Sequence, residues 1–222
     1  MVFMEDSERA FVLARQHGVD AGLHLNFTTL FSAQQCPSLL AKHQLQLARF
    51  LTWNRFTRVL YHPALSNSFE YVVKAQLEEF ERLYGSPAGR IDGHHHMHLC
   101  ANVVFQELLP AGIIVRRNFS FAPGEKSSIN RLYRNWQDRA LARRHRMTDF
   151  FFSLPPLEPS RLQRIFDLAS RFDVELETHP AIPEEYAFLI GGELFNCAGN
   201  AGVAPRYLLR GNARAAEVGA RE

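Results

Sequence analysis

Short apolar runs that alternate with longer helical stretches constrain the fold of this chain more than any other feature. The runs with the composition of buried strands are 19–28, 90–92, 112–119, 148–154 and 173–180. Between them lie stretches with helical spacing, and the clearest, 67–84, has an apolar stripe and ends at Gly85. Strands separated by helices predict βαβ units and a parallel sheet, so the expected fold class is α/β. At 222 residues, the chain is expected to form one domain.

Composition narrows the class of protein further. The chain is 46% hydrophobic with a net charge of +2, which is typical of a soluble globular protein and does not favour nucleic acid as a partner. No apolar run reaches the roughly 18 residues of a membrane span, and the first residues lack the features of a signal peptide. Cys36, Cys100 and Cys197 form no C-x-x-C pair, which indicates reduced thiols. These features predict a cytoplasmic protein without a membrane span.

Histidines are concentrated at the ends of the predicted strands. The stretch RIDGHHHMHL at 90–99 holds four of the ten histidines, and His24 and His179 each follow or end another apolar run. The carboxyl ends of parallel strands meet on one face of the fold, so these side chains are expected to converge. Imidazole and carboxylate groups brought together in this way are typical of metal sites. In an extended backbone, alternate residues of the cluster would share a face: His94, His96 and His98.

Simpler interpretations stay open for each feature. His24 alone could be a structural histidine, the cluster a surface loop, and His179, which precedes Pro180, part of a turn. Arg116 is as well suited to a structural ion pair as to a substrate contact. The sequence contains no G-x-S-x-G, no glycine-rich phosphate loop and no H-E-x-x-H, which argues against three common classes of enzyme.

Three motifs resemble those of a known family. GLHLNFT at 22–28, DGHHHMHL at 92–99 and ELETHPAIPEEYAFL at 175–189 resemble the YdjC-like carbohydrate deacetylases, which include chitooligosaccharide deacetylase and hopanoid-biosynthesis-associated proteins. The third motif is most similar to the hopanoid-associated branch. The resemblance implies a distorted, TIM-like (β/α) barrel of the polysaccharide-deacetylase type. It covers 1–195, leaving 196–222 as a C-terminal tail.

The resemblance also implies site residues. His24 and His94 match the metal ligands of the family, and His179 matches a histidine proposed as the general acid. The cofactor is then a divalent metal, Mg²⁺ by resemblance, although two imidazole ligands suit Zn²⁺ or another transition ion better. Residues expected to orient the ligands, contact substrate or supplement the site are Asp92, His96, His98, Arg116 and Glu177.

One family motif is absent from this sequence. There is no D-D-F-G, whose aspartates, by the resemblance, are expected to supply a metal ligand and the base. The stretch MVFMEDSERA resembles the end of the second family strand. The barrel is therefore expected to lack its first βα unit, and the open strand edges favour pairing with a second copy. His96 or His98 is the expected substitute for the ligand. Glu177, on the same side of a strand as His179, is the expected substitute for the base.

The expected reaction is hydrolysis of the acetamide of an N-acetylated sugar or glycolipid-like carbohydrate, with a link to hopanoid metabolism. In that chemistry, a metal lowers the pKa of its bound water from ~15.7 toward ~7, and a histidine protonates the departing amine. Two alternatives stay open. The chain could be a catalytically impaired remnant that binds metal or carbohydrate without turnover, or a metallohydrolase that acts on another amide.

Overall fold

A computed structural model describes residues 1–121, 125–199, 201, 203–204 and 206–210. The α-helices are α1 (Ser7–Gln16), α2 (Ser38–Trp53), α3 (Ser66–Tyr84), α4 (Ala101–Phe105), α5 (Ser128–Ala142), α6 (Pro159–Ala169), α7 (Pro183–Ile190) and α8 (Glu193–Ala198). The strands are β1 (Leu23–Leu25), β2 (Arg90–Gly93), β3 (Ile114–Val115), β4 (Phe150–Ser153) and β5 (Val174–Glu177). Short 3₁₀ helices lie at Thr57–Val59, Pro63–Leu65 and His94–Leu99.

The chain divides into two compact units. The first comprises Met1–Arg116 and Tyr133–Arg146, and the second comprises Arg117–Leu132 and Met147–Glu222. Each unit has its own parallel sheet, in the order β1-β2-β3 in the first and β4-β5 in the second. The α/β class and the parallel strands are therefore confirmed. The distorted barrel, the single family domain over 1–195 and the tail at 196–222 stay predictions, and residues 211–222 of that tail lie outside the described residues.

The core of the first unit lies between its sheet and α3. Leu23 and Ile91 are partners in the β1–β2 register, and both are almost completely buried. The buried residues of α3 recur at the predicted helical spacing: Phe69, Val72, Val73, Phe80 and Leu83. Gly85 ends the helix with φ at 73°, a left-handed conformation that glycine adopts without steric penalty. The predicted helix at 67–84 therefore agrees with α3 to within one residue at its start.

The second unit packs its helices around a separate apolar cluster, formed by Leu154, Leu162, Phe166, Phe188, Ala198 and Ala201. Strands β4 and β5 run in register from Phe150↔Val174 to Ser153↔Glu177. Within the described residues, no helix has both the length and the apolar character needed to cross a bilayer.

The strands are shorter than the apolar runs that predict them. Strand β1 covers only three residues of the run at 19–28, and β3 covers two of 112–119. At the end of β1, the backbone N–H of Asn26 donates to the side-chain carbonyl of Gln76 (2.8 Å) rather than to a neighbouring strand. A side chain from α3 thus takes over the hydrogen bonds of the backbone where the sheet ends.

Candidate functional site

His24 and Asp92 are neighbours on adjacent parallel strands. They are register partners in β1 and β2, so their side chains leave the sheet on the same face. The His24 Nδ1–H donates to Asp92 Oδ1 at 3.0 Å. Because the proton lies on Nδ1, the Nε2 lone pair of a neutral His24 ring is available to another group.

Arg116 joins this pair from the third strand. It follows directly after β3, and its backbone N–H donates to the carbonyl of Ile91 (3.0 Å). Its guanidinium Nη1 lies 2.6 Å from Asp92 Oδ2, and the two side chains are 15% and 19% exposed. Burial alone would raise the pKa of Asp92, but the hydrogen bond from His24 and the positive charge of Arg116 outweigh it and hold that pKa well below its ordinary value. Asp92 is therefore an ionised carboxylate that binds two side chains at once.

The histidine cluster forms a tight turn rather than an extended strand. His94–Leu99 is a 3₁₀ segment, in which His95 (φ 52°) and His96 (φ 57°) adopt left-handed conformations. The expectation that alternate histidines share one face is therefore wrong, because the backbone coils as soon as β2 ends. His94 nevertheless stays beside His24, with 5.7 Å between the ring centroids.

His98 explains the glycine that precedes the cluster. Its ring is fully buried, and its Nε2–H donates to the backbone carbonyl of Arg116 at 2.9 Å. A Cβ on Gly93 would lie 2.9 Å from both the backbone nitrogen and Nδ1 of His98. Only glycine lets the turn fold back this closely. The hydrogen bond from His98 holds the backbone of Arg116, whose side chain binds Asp92.

Three imidazoles of the histidine turn have lowered pKa values and are uncharged at neutral pH. Burial is the main cause in each case, and neighbouring positive or imidazole groups add to it. It lowers the pKa of His94, that of His96 to about 3 and that of His98 to about 4. Neutral rings carry a lone pair, so this turn offers acceptors and ligands rather than positive charge.

The remaining predicted site residues belong to the second unit. Glu177 is the last residue of β5. His179 lies beyond the strand, where its backbone N–H donates to the Glu185 carboxylate (2.7 Å) instead of continuing the sheet. The argument that both side chains leave the same side of a strand is therefore wrong, because the strand ends before His179.

Two contacts of the candidate residues were not predicted. Glu185 of α7 has a side chain that is 2% exposed and lies 3.7 Å from His179 Nδ1. Thr28 Oγ1 lies 3.1 Å from His95 Nδ1, which links the two histidine-containing motifs of the first unit. Thr28 lies inside the motif GLHLNFT, so that motif could have identified it as a candidate site residue. Nothing in the local sequence marks Glu185, because its burial depends on how α7 packs.

The residues beside His24 meet the needs of a metal ion only in part. A carboxylate on Nδ1 of His24 is the usual outer partner of a metal-bound histidine, and the neutral His94 ring lies nearby. A catalytic centre typically takes three protein ligands. Among the described residues, no group of three His, Cys, Asp or Glu side chains is placed to hold an ion. His24 and His94 therefore fit two ligand positions but do not make a complete metal centre.

Comparison with known proteins identifies the family. No curated protein and no solved structure matches the chain. The family described as YdjC-like protein matches residues 1–217, a range that includes all three quoted motifs and both sheets. The chain therefore belongs to the YdjC-like family, whose function is of the carbohydrate deacetylase type.

Proposed function

We propose that the chain is a hydrolase that removes acetyl groups from N-acetylated sugars or glycolipid-like carbohydrate, with its metal-binding histidines and their partners at the carboxyl ends of β1, β2 and β3. The observation that carries this proposal is the hydrogen-bonded set of His24, Asp92 and Arg116, in which each residue comes from a different parallel strand end. Because the third motif resembles the hopanoid-associated branch, we propose that assays include a hopanoid-linked carbohydrate as substrate.

Each residue has a definite task in this proposal. Asp92 fixes the tautomer and orientation of His24, so that Nε2 presents its lone pair. His94, held neutral mainly by burial, presents a second lone pair beside it. Arg116 keeps Asp92 ionised, and His98 holds the backbone of Arg116.

The family generally depends on a divalent metal. In this proposal, His24 and His94 are the two residues that bind such an ion, Mg²⁺ or, by the preference of imidazole, Zn²⁺. His179 is proposed as the proton donor to the leaving amine, with Glu185 as its orienting partner and Glu177 as a candidate base. His96 is proposed to contact substrate.

A second function is favoured by one observation. The described residues supply two ligands where a catalytic centre takes three. A protein with such a site would bind an ion or a carbohydrate without turning it over.

Calorimetry and an acetate assay separate the two functions. Zn²⁺ and Mg²⁺ are titrated into the wild type, His24→Ala and His94→Ala, with His17→Ala as a control because His17 is exposed and lies outside the three motifs. Acetate release is then measured with N-acetylglucosamine oligomers. Ion binding and acetate release that both histidine variants lose, and that His17→Ala keeps, support the deacetylase. Binding without acetate supports the second function, and loss of neither property in the variants contradicts both.

A further inference from the structure

A cavity separate from the histidine site lies in the first unit. Helix α4, the loop after it, the end of α5 and the residues that follow α5 line an open cavity of about 190 Å³. The lining residues with aromatic or polar side chains are Phe105, Glu107, Trp136, Arg143, Arg144 and His145. The Gly112 N–H, just before β3, donates to the Arg144 carbonyl, whereas Arg116 follows the other end of that strand. The cavity is thus beside the amino end of β3, and the histidine site is at its carboxyl end.

Exposed aromatic rings border this cavity. Phe105 is 55% and Trp136 is 45% exposed, and their ring centroids are 5.6 Å apart. Tyr61 extends the row from Phe105 (6.3 Å), and Tyr133 extends it from Trp136 (6.1 Å). Aromatic faces carry partial negative charge and bind flat groups with polarised C–H bonds. A pyranose ring has such a C–H face, together with a rim of hydroxyl groups.

The polar side chains of the cavity combine donors with acceptors. Arg144 is paired with the Glu107 carboxylate, whereas Arg143 has no ion-pair partner among the described residues. The His145 residue is only 9% exposed, and its Nδ1 has no hydrogen-bond partner. Burial lowers the pKa of His145, so the ring is neutral. A buried polar atom without a partner is rare in native proteins, and a water or a hydroxyl group that reached Nδ1 would supply the missing partner.

These groups suit a neutral ligand that carries hydroxyl groups. An anion would be attracted by Arg143 but would also meet the Glu107 carboxylate, which already holds Arg144. Hydroxyl groups, in contrast, both donate to a carboxylate and accept from a guanidinium. The small volume admits one ring rather than a long ligand.

We propose that this cavity is a second carbohydrate-binding site, which holds one neutral pyranose unit against Phe105 and Trp136 and is distinct from the histidine site. The ligand class rests on the proposed function. The cavity would hold a saccharide at a distance from the residues that react with it. Its occupant is a pyranose of an N-acetylated saccharide.

Tryptophan fluorescence tests the site directly. The chain has two tryptophans, so a Trp53→Phe variant leaves Trp136 as the only indole. Titration of this variant with N-acetylglucosamine and its oligomers is expected to change the emission of Trp136 and to saturate, with heat detected in parallel by calorimetry. Phe105→Ala, or the milder Arg143→Ala at an exposed position if the first does not fold, is expected to weaken binding at least tenfold. Phe56→Ala, which removes an equally exposed ring elsewhere, is expected to bind normally.

The outcomes separate this proposal from the proposed function. His24→Ala is expected to abolish acetate release and to leave the emission titration unchanged. Saccharide binding at Trp136 without any acetate release would support the second site and contradict the deacetylase. Acetate release with no emission change and no difference in heat between Phe105→Ala and the wild type would overturn the second site alone. A response to inorganic phosphate but not to saccharide would also overturn it.

Discussion

Asp92 binds the side chains of His24 and Arg116, so replacing it is expected to change both ligand binding and stability. Asp92→Asn removes the negative charge that holds Arg116, whose guanidinium is mostly buried, and also the acceptor that orients His24. We expect a loss of about 2–4 kcal/mol in the free energy of unfolding and about 10–100-fold weaker ion or substrate binding. Urea unfolding and calorimetry measure the two effects. Asp20→Asn, which breaks a more exposed pair with Arg90, should lose less than about 1 kcal/mol, and an equal loss in both variants would contradict the role given to Asp92.

Gly93 tests the close approach of the turn to the strand. In Gly93→Ala, the new Cβ would meet the His98 backbone, which cannot move as freely as the end of a side chain. We expect a loss of about 1–3 kcal/mol in the free energy of unfolding, measured by urea denaturation. Gly89→Ala is the matched control, because a Cβ there meets nothing within 4 Å. Similar stabilities for the two variants would mean that the turn adapts without strain.

His98 makes stability depend on pH in a defined direction. Burial lowers its pKa in the folded chain to about 4, against an ordinary value of about 6.5. The unfolded chain therefore takes up the proton first, so the contribution is complete above pH 6.5 and is lost as the pH falls toward 4. At about 1.4 kcal/mol per pKa unit, the loss is about 3 kcal/mol.

Urea denaturation between pH 7 and pH 4 measures this effect. His98→Gln should be less stable at pH 7 and should show a flatter dependence on pH, whereas His17→Gln should follow the wild type. A His98→Gln curve parallel to that of the wild type would show that other groups cause the slope.

At the scale of elements, Gln76 connects α3 with the end of β1. Its side chain accepts from the Asn26 N–H (2.8 Å) and donates to the Asn26 carbonyl (3.1 Å), and it is completely buried. Gln76→Met keeps the volume but leaves two buried backbone groups unpaired, so we expect a loss of about 2–4 kcal/mol. Lys74→Met, on the exposed side of the same helix, should change stability by less than about 0.5 kcal/mol. Thermal unfolding compares the two, and a mild effect of Gln76→Met would imply that water replaces the amide.

The sequence predicted long elements better than short ones. Helix α3 repeats one spacing over five turns and ends at Gly85, so its pattern is clear locally. Strands of two to four residues are too short to show alternation, and the end of β1 is set by Gln76, 50 residues away. The histidine turn likewise contains two left-handed residues, His95 and His96, a conformation that the local sequence pattern does not indicate. His24 was expected to bind a metal and Asp92 to orient the histidines, but the contact between the two depends on the register of two strands, which no local pattern shows.

At the scale of the whole molecule, the first unit is built from two separated stretches of chain. Arg146 lies along the free edge of β3, where it forms an isolated parallel bridge with Ile114. Its carbonyl accepts a hydrogen bond from the Val115 N–H (2.9 Å). A fragment ending at Arg116 contains His24, Asp92 and His94 but lacks this border. We expect the fragment 1–116 to unfold without cooperativity, and the fragment 1–146 to show a cooperative transition by circular dichroism. A cooperative transition in the shorter fragment would show that the segment Tyr133–Arg146 is dispensable.

The border that Arg146 gives to β3 has a consequence for biosynthesis. A ribosome delivers His24, Asp92 and Arg116 well before Arg146, so a nascent chain carries all these site residues while the strand that positions Arg116 is still unbordered. Maturation of the site therefore waits until Arg146 has been synthesised, and slow codons between Arg116 and Arg146 would prolong the interval in which a ribosome-bound chain carries an immature site.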